Sequence, residues 1–177
     1  MQPTRLLRLV LFSTIGLFCL MTIIGLLLPD TVKVSRTKDI EVPIDSIKPY
    51  IFQLKSWTNW IYGADSVQVT MTGMSKDGNP AVMLMGGFEI SIREKTDSTM
   101  VTVWKSKENP MQLSRITILP RNKNNAATVN WTFEQALKWY PWERLSSMMF
   151  EKIFGIPMEL GLEKLKAVCE KRPYDLQ

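Results

Sequence analysis

Twenty residues without charge, Leu9 to Leu28, run almost directly into a segment in which apolar and polar positions alternate. As a helix the run would measure about 30 Å, enough for the hydrocarbon core of a bilayer and about twice the usual core of a signal peptide. It has no polar face, and no small-x-small cleavage site follows Gly25, so it reads as a retained anchor rather than a core helix or a leader. Beyond Pro29 the stretch TVKVSRTKDIEVP alternates as a strand, with Val32 and Val34 on one face. A helix is expected to start at Ser46, with Pro49 tolerated in its first turn, and YIFQLKSWTNW reads as short helix or turn.

After Gly63 the period is two. SVQVTMTGM, AVMLMGG, FEISIREK and TMVTVWKS read as strands separated by the turns KDGNP and TDS, and QLSRITILP and ATVNWTFEQA add two more. In the last of these Val129, Trp131 and Phe133 share one face. From about Pro141 to Lys171 the period becomes helical, with Leu145, Met149, Ile153, Ile156 and Leu160 expected on the buried side and Leu162, Leu165 and Cys169 continuing it. Gly155 and Pro157 interrupt this helix, and a kink or loosened turn is expected there. The pattern divides the chain into a tail and transmembrane anchor, 1–29, and one globular domain, 30–177.

Charge changes this picture little. The formal net charge is +5, and without Arg5 and Arg8 the domain holds 20 basic against 17 acidic residues. No basic run or nucleic-acid-binding motif accompanies the excess, so no nucleic-acid partner is expected. Arg5 and Arg8 on one side of the span face Lys33, Arg36 and Lys38 on the other, which leaves the positive-inside rule undecided. The short basic tail before the apolar run favours export, giving a single-pass protein of the cell membrane with an extracytoplasmic domain. Cys19 lies in the span and Cys169 is alone in the domain, so no internal disulfide is expected and Cys169 reads as a small buried apolar residue.

Strand, short helices, six antiparallel strands and a closing amphipathic helix form an order that resembles the START-like superfamily. More narrowly the chain is similar to membrane-anchored polyketide cyclase/dehydrase-type proteins of the SRPBCC group. The resemblance is carried by VPIDSIKPYIFQLKSWTNWI, ATVNWTFE and ELGLEKLKAVCE and covers roughly residues 32–171. It implies an α+β helix-grip fold like that of the birch-pollen allergen, a curved antiparallel sheet around a long C-terminal helix, with an apolar cavity between them. Trp60, Met83, Met85, Phe88, Ile90, Trp131 and Phe133, with Met149 and Ile153 from the helix, are the candidate ligand-binding wall, and a lipid-like or polycyclic molecule is the implied partner. The competing reading makes the same residues plain core, with Trp57 and Trp60 pinning the short helices to the sheet.

An enzyme needs an acid, a base or a nucleophile, and the chain contains no histidine. Glu89 and Arg93 fall opposite Phe88, Ile90 and Ile92 and so face solvent, and no nucleophile elbow, phosphate loop or metal-ligand spacing is present. No catalytic residue, metal or cofactor is assigned. The readings left are a membrane-tethered binder of a hydrophobic ligand, held at the membrane through residues 9–28, a tethered protein-interaction module with a filled core, and lastly a cyclase- or hydratase-like enzyme. Asn130 in NWT matches a glycosylation acceptor, but its place inside a strand makes the match fortuitous.

Overall fold

The computed structural model describes residues 3–74, 78–107, 110–121, 126–146 and 149–171. Helix α1 (Pro3–Leu27) is almost wholly exposed, as its apolar circumference foretold, and its segment Arg5–Leu27 is long and apolar enough to cross a membrane. Strand β1 (Thr31–Ile40) follows at once, then helix α2 (Ile44–Phe52) and two short 3-10 turns, Leu54–Asn59 and Ala64–Ser66. Strands β2 (Val69–Met74), β3 (Pro80–Met85), β4 (Phe88–Lys95), β5 (Thr99–Lys105), β6 (Gln112–Arg121) and β7 (Ala126–Ala136) complete one antiparallel sheet in the order β1-β7-β6-β5-β4-β3-β2. Helices α3 (Pro141–Ser146) and α4 (Phe150–Glu170) end the described chain.

The expected α+β architecture is therefore the observed one, with corrections at three boundaries. Helix α2 begins at Ile44, before Ser46, because the Ser46 N–H already donates to the Pro43 carbonyl and Asp45 sits favourably in the first turn. Strand β2 starts at Val69, later than Ser66, since residues 64–66 are taken by a 3-10 turn. The closing helix is two helices, and Ser147 and Met148 lie outside the described residues, as does the side chain of Leu145. Helix α4 runs on through Pro157, whose missing N–H leaves the Ile153 carbonyl without its helical donor.

A fourth correction concerns the face that α4 buries. Met149, Ile153 and Ile156 are 59%, 56% and 60% exposed, whereas Phe150, Met158, Leu162 and Leu165 are buried. The helix carries two neighbouring apolar stripes, and periodicity alone does not choose between them. What chooses is fit. A Cβ placed on Gly161 would stand 3.2 Å from the Trp131 ring and 3.5 Å from the Trp60 carbonyl, so α4 can lie this close to the sheet only with glycine turned inward. Charged residues on the same face of β1 then meet the helix: Lys38 pairs with Glu163 and Arg36 with Glu151.

The core lies between the concave face of the sheet and the helices. Val34, Ile90, Met100, Ile116, Ile118 and Val129 come from the strands, Ile47 and Ile51 from α2, and Trp57 and Trp60 from the turn, all of them at most 2% exposed. The two indoles are fixed from both ends: Trp57 Nε1 donates to the Ile51 carbonyl at 2.8 Å and Trp60 Nε1 to the Tyr50 carbonyl at 3.0 Å. Trp60 meets Trp131 edge-on at 5.2 Å between ring centroids, which fastens the turn to the middle of the sheet.

Candidate functional site

The inner face of the sheet is not filled completely. Between it and α4 lies a cavity of about 280 Å³, walled by Met85, Phe88, Trp104, Trp131 and Phe133 from the strands and by Ile153, Phe154, Pro157 and Met158 from the helix. Ile61, Tyr62, Gly63 and Val67 form its rim. A second hollow of about 360 Å³ lies on the other side of Phe88, Ile153 and Phe154, lined further by Gln112, Gln135, Leu137, Glu143 and Met149. Each is close to the lower end of the range of roughly 300 to 1,000 Å³ that small-molecule sites occupy.

Aromatic rings build the partition. Phe133 stands 5.1 Å from Trp104, 5.5 Å from Trp131 and 5.3 Å from Phe154, and Phe154 in turn 4.3 Å from Phe150. Trp104 meets Phe88 edge-on at 5.8 Å. The indole donors are satisfied inside the wall, Trp131 Nε1 by Ser114 Oγ at 2.8 Å and Trp104 Nε1 by Thr102 Oγ1 at 3.1 Å. The apolar compartment is thus lined by ring faces and edges whose polar atoms are already engaged.

The second compartment differs in one respect. Gln112 and Gln135 sit opposite one another on β6 and β7, 2% and 9% exposed, and Gln112 Nε2 donates to Gln135 Oε1 at 2.9 Å. Gln112 Oε1 is buried with no hydrogen-bond partner. Two amides turned inward incur a desolvation penalty, which their mutual hydrogen bond offsets in part.

Of the residues expected from sequence, Met85, Phe88, Trp131, Phe133 and Ile153 line the first cavity, and Met149 reaches only the second. Trp60, Met83 and Ile90 are fully buried and stand outside the lining of either hollow. Sequence reasoning missed Trp104, Phe154 and Met158, the latter two because of the displaced helix face. It also missed Gln112 and Gln135, although both fall in phase with an inward apolar series: Ser114, Ile116 and Ile118 for the first, Val129, Trp131 and Phe133 for the second. A polar residue in phase with a buried face is a readable signal.

A larger hollow of about 570 Å³ lies toward the sheet edge, where Gln68, Thr70, Glu89, Lys105 and Lys107 share the wall with Leu84, Met85 and Phe88. Among the described residues no three Cys, Asp or Glu side chains converge as metal ligands. Asn130 is engaged in the sheet, donating to Thr37 Oγ1 at 2.8 Å.

Comparison with solved structures now decides the architecture. A START superfamily protein from Mycobacterium smegmatis superposes with a TM-score of 0.64 at 14% identity, over 79% of this chain and 98% of that one. The fold is START-like. CalU16 from Micromonospora echinospora gives 0.57 at 11% identity, covering 80% of this chain and 76% of that one. The di-domain ARO/CYC BexL of the BE-7585A biosynthetic pathway gives 0.57 at 13% identity, over 81% of this chain, which spans about half (52%) of BexL. No family model and no curated protein matches the sequence.

Proposed function

We propose that this protein is a single-pass, membrane-tethered binder of a hydrophobic or amphipathic small molecule. Residues 30–177 form the ligand-holding domain on the extracytoplasmic side, and α1 anchors it. The observation that carries the reading is the pair of neighbouring hollows between the sheet and α4, one walled by aromatic rings and the other bearing a buried amide pair. A rigid aromatic wall suits an acyl chain or a fused ring system, and the polar side chains of Gln112, Gln135 and Glu143 on the wall of the second hollow suit the molecule's polar end. The solved neighbours support the same architecture, and BexL, a di-domain ARO/CYC of a biosynthetic pathway, adds an enzymatic second reading. For that reading Glu143 is the carboxylate on the wall of the second hollow.

The test is mass spectrometry of small molecules extracted from the full chain purified in mild detergent, together with titration of 1-anilinonaphthalene-8-sulfonate. A binder yields a stoichiometric apolar molecule, and Ile153→Arg, at the exposed cavity rim, lowers probe fluorescence several-fold while leaving the thermal midpoint close to wild type. No copurifying molecule, together with equal probe signals for wild type and Ile153→Arg, would overturn the reading and favour an interaction module with a filled core.

A further inference from the structure

Helix α3 lies against the end of α1. A Cβ on Gly25 would stand 3.0 Å from Pro141 Cα, so the two backbones meet with glycine at the crossing. Arg144 Nη1 donates to the Gly25 carbonyl at 2.9 Å and to the Leu28 carbonyl at 2.7 Å, closing the C-terminal turn of α1 with a cation where the helix dipole favours one. The Asp30 carbonyl accepts from Leu137 N–H at 2.7 Å, tying the connector to the same segment.

This contact fixes a depth. With Leu28 at the edge of the hydrocarbon, Gly25 stands about 5 Å and Met21 about 10 Å inside it at the helical rise. Yet Trp142 overhangs this part of α1: a groove of about 370 Å³ is lined by Thr14, Leu17, Phe18 and Met21 of α1 and by Pro141 and Trp142. Trp142 is 62% exposed and Trp139 58%, and Tyr140 stacks on Trp142 at 5.1 Å with planes 2° apart. Lys138 Nζ lies 5.9 Å from the Tyr140 ring centroid, on the exposed side of the cluster. By the same rise Phe18 stands about 15 Å and Thr14 about 20 Å inside, so the uncovered ring of Trp142 beside them is at the level of the acyl chains.

We propose that residues 138–146 are a second membrane contact, in which Trp142 lies beside α1 within the acyl region and a phospholipid acyl chain fills the groove between them. The proposal rests on the reading of α1 as a membrane span and is independent of what the cavity holds. Phospholipid is the occupant because the groove runs along the span itself, at a depth where acyl chains surround the helix.

The experiment uses the full chain in phosphatidylcholine vesicles whose acyl chains carry bromine at carbons 6 and 7 or at 11 and 12. Trp57 and Trp60 are fully buried, whereas Trp104 and Trp131 wall the cavity and would also report a brominated chain held there, so Trp142 is read from the difference between wild type and Trp142→Phe. The expected result is quenching at least as strong with the deep bromines as with the shallow ones, with the quenched fraction falling at least twofold in Trp142→Phe at an unchanged near-ultraviolet circular dichroism spectrum. Absence of quenching in the wild-type chain overturns the proposal without recourse to a variant, as does equal quenching in wild type and Trp142→Phe. Quenching that rises as the chain is diluted with lipid assigns the groove to a second copy and overturns it too. Extraction of the chain from the vesicles by alkaline carbonate marks failure of the span reading, and cavity binding of 1-anilinonaphthalene-8-sulfonate is scored separately.

Discussion

At the scale of single residues, the aromatic wall and the closing cysteine make the sharpest expectations. Trp131 is 3% exposed and holds both the turn of Trp60 and the partition of Phe133, so Trp131→Ala is expected to lower stability by about 3 to 5 kcal/mol in denaturant unfolding. A loss under about 1 kcal/mol would mean that the site collapses onto itself. Cys169 is expected to resist iodoacetamide in the folded protein at pH 8, because burial, helped by the neighbouring Glu170 charge, pushes its thiol from 9.0 up to about 12. The sign of the linkage follows: above pH 9 the unfolded thiol loses its proton and the folded one keeps it, so this contribution to stability is complete below pH 9 and is lost as pH rises toward 12. Trp131 and Phe133 were legible because strand alternation assigns faces without ambiguity. Gln112 and Gln135 were equally in phase but were passed over, since polar residues are not sought on a buried face.

Among the elements, legibility tracked how many faces a pattern leaves open. A strand offers two faces, so β3 to β7 were readable to within two residues at each end, while β1 stops at Ile40 and β2 starts at Val69, and the pairing of β1 with β7 joins segments that no local pattern connects. Helix α4 offers two adjacent apolar stripes, and the choice between them is made by Gly161 against Trp131, a contact across the fold that no local window contains. The junction of α3 with α1 was invisible for the same reason. Arg144 reaches two carbonyls more than a hundred residues away in sequence, and nothing in LKWYPWERLS announces them. Arg144→Gln removes charge-assisted hydrogen bonds of about 1 to 2 kcal/mol in this half-buried setting, and α3 is expected to loosen from the anchor. Amide exchange over residues 138–146 should quicken by about tenfold with the strands unchanged, and an unaltered rate would show that Pro141 against Gly25 suffices.

For the whole molecule, the connection between α1 and β1 is stiff and pinned, with Pro29 and the Asp30–Leu137 hydrogen bond inside it. If the ligand comes from the bilayer, a flexible Gly/Ser insertion of about 30 residues after Leu28 lets the domain wander roughly 30 Å and should slow its loading from lipid vesicles several-fold. Unchanged loading would make proximity irrelevant to function. The strand order has a further consequence for how such a chain is made. Strand β1 pairs with β7, Thr31 opposite Ala136 and Ile40 opposite Ala127, so its hydrogen-bonding partner is synthesised about a hundred residues later. At roughly 5 to 20 residues per second, β1 waits on the order of 5 to 20 s for that partner. Lys33, Arg36, Lys38 and Asp39, spread along it, make that waiting strand a poor template for another nascent chain, so the same charges that later meet Glu134, Glu151, Glu163 and Arg121 first act as protection against mispairing during biogenesis.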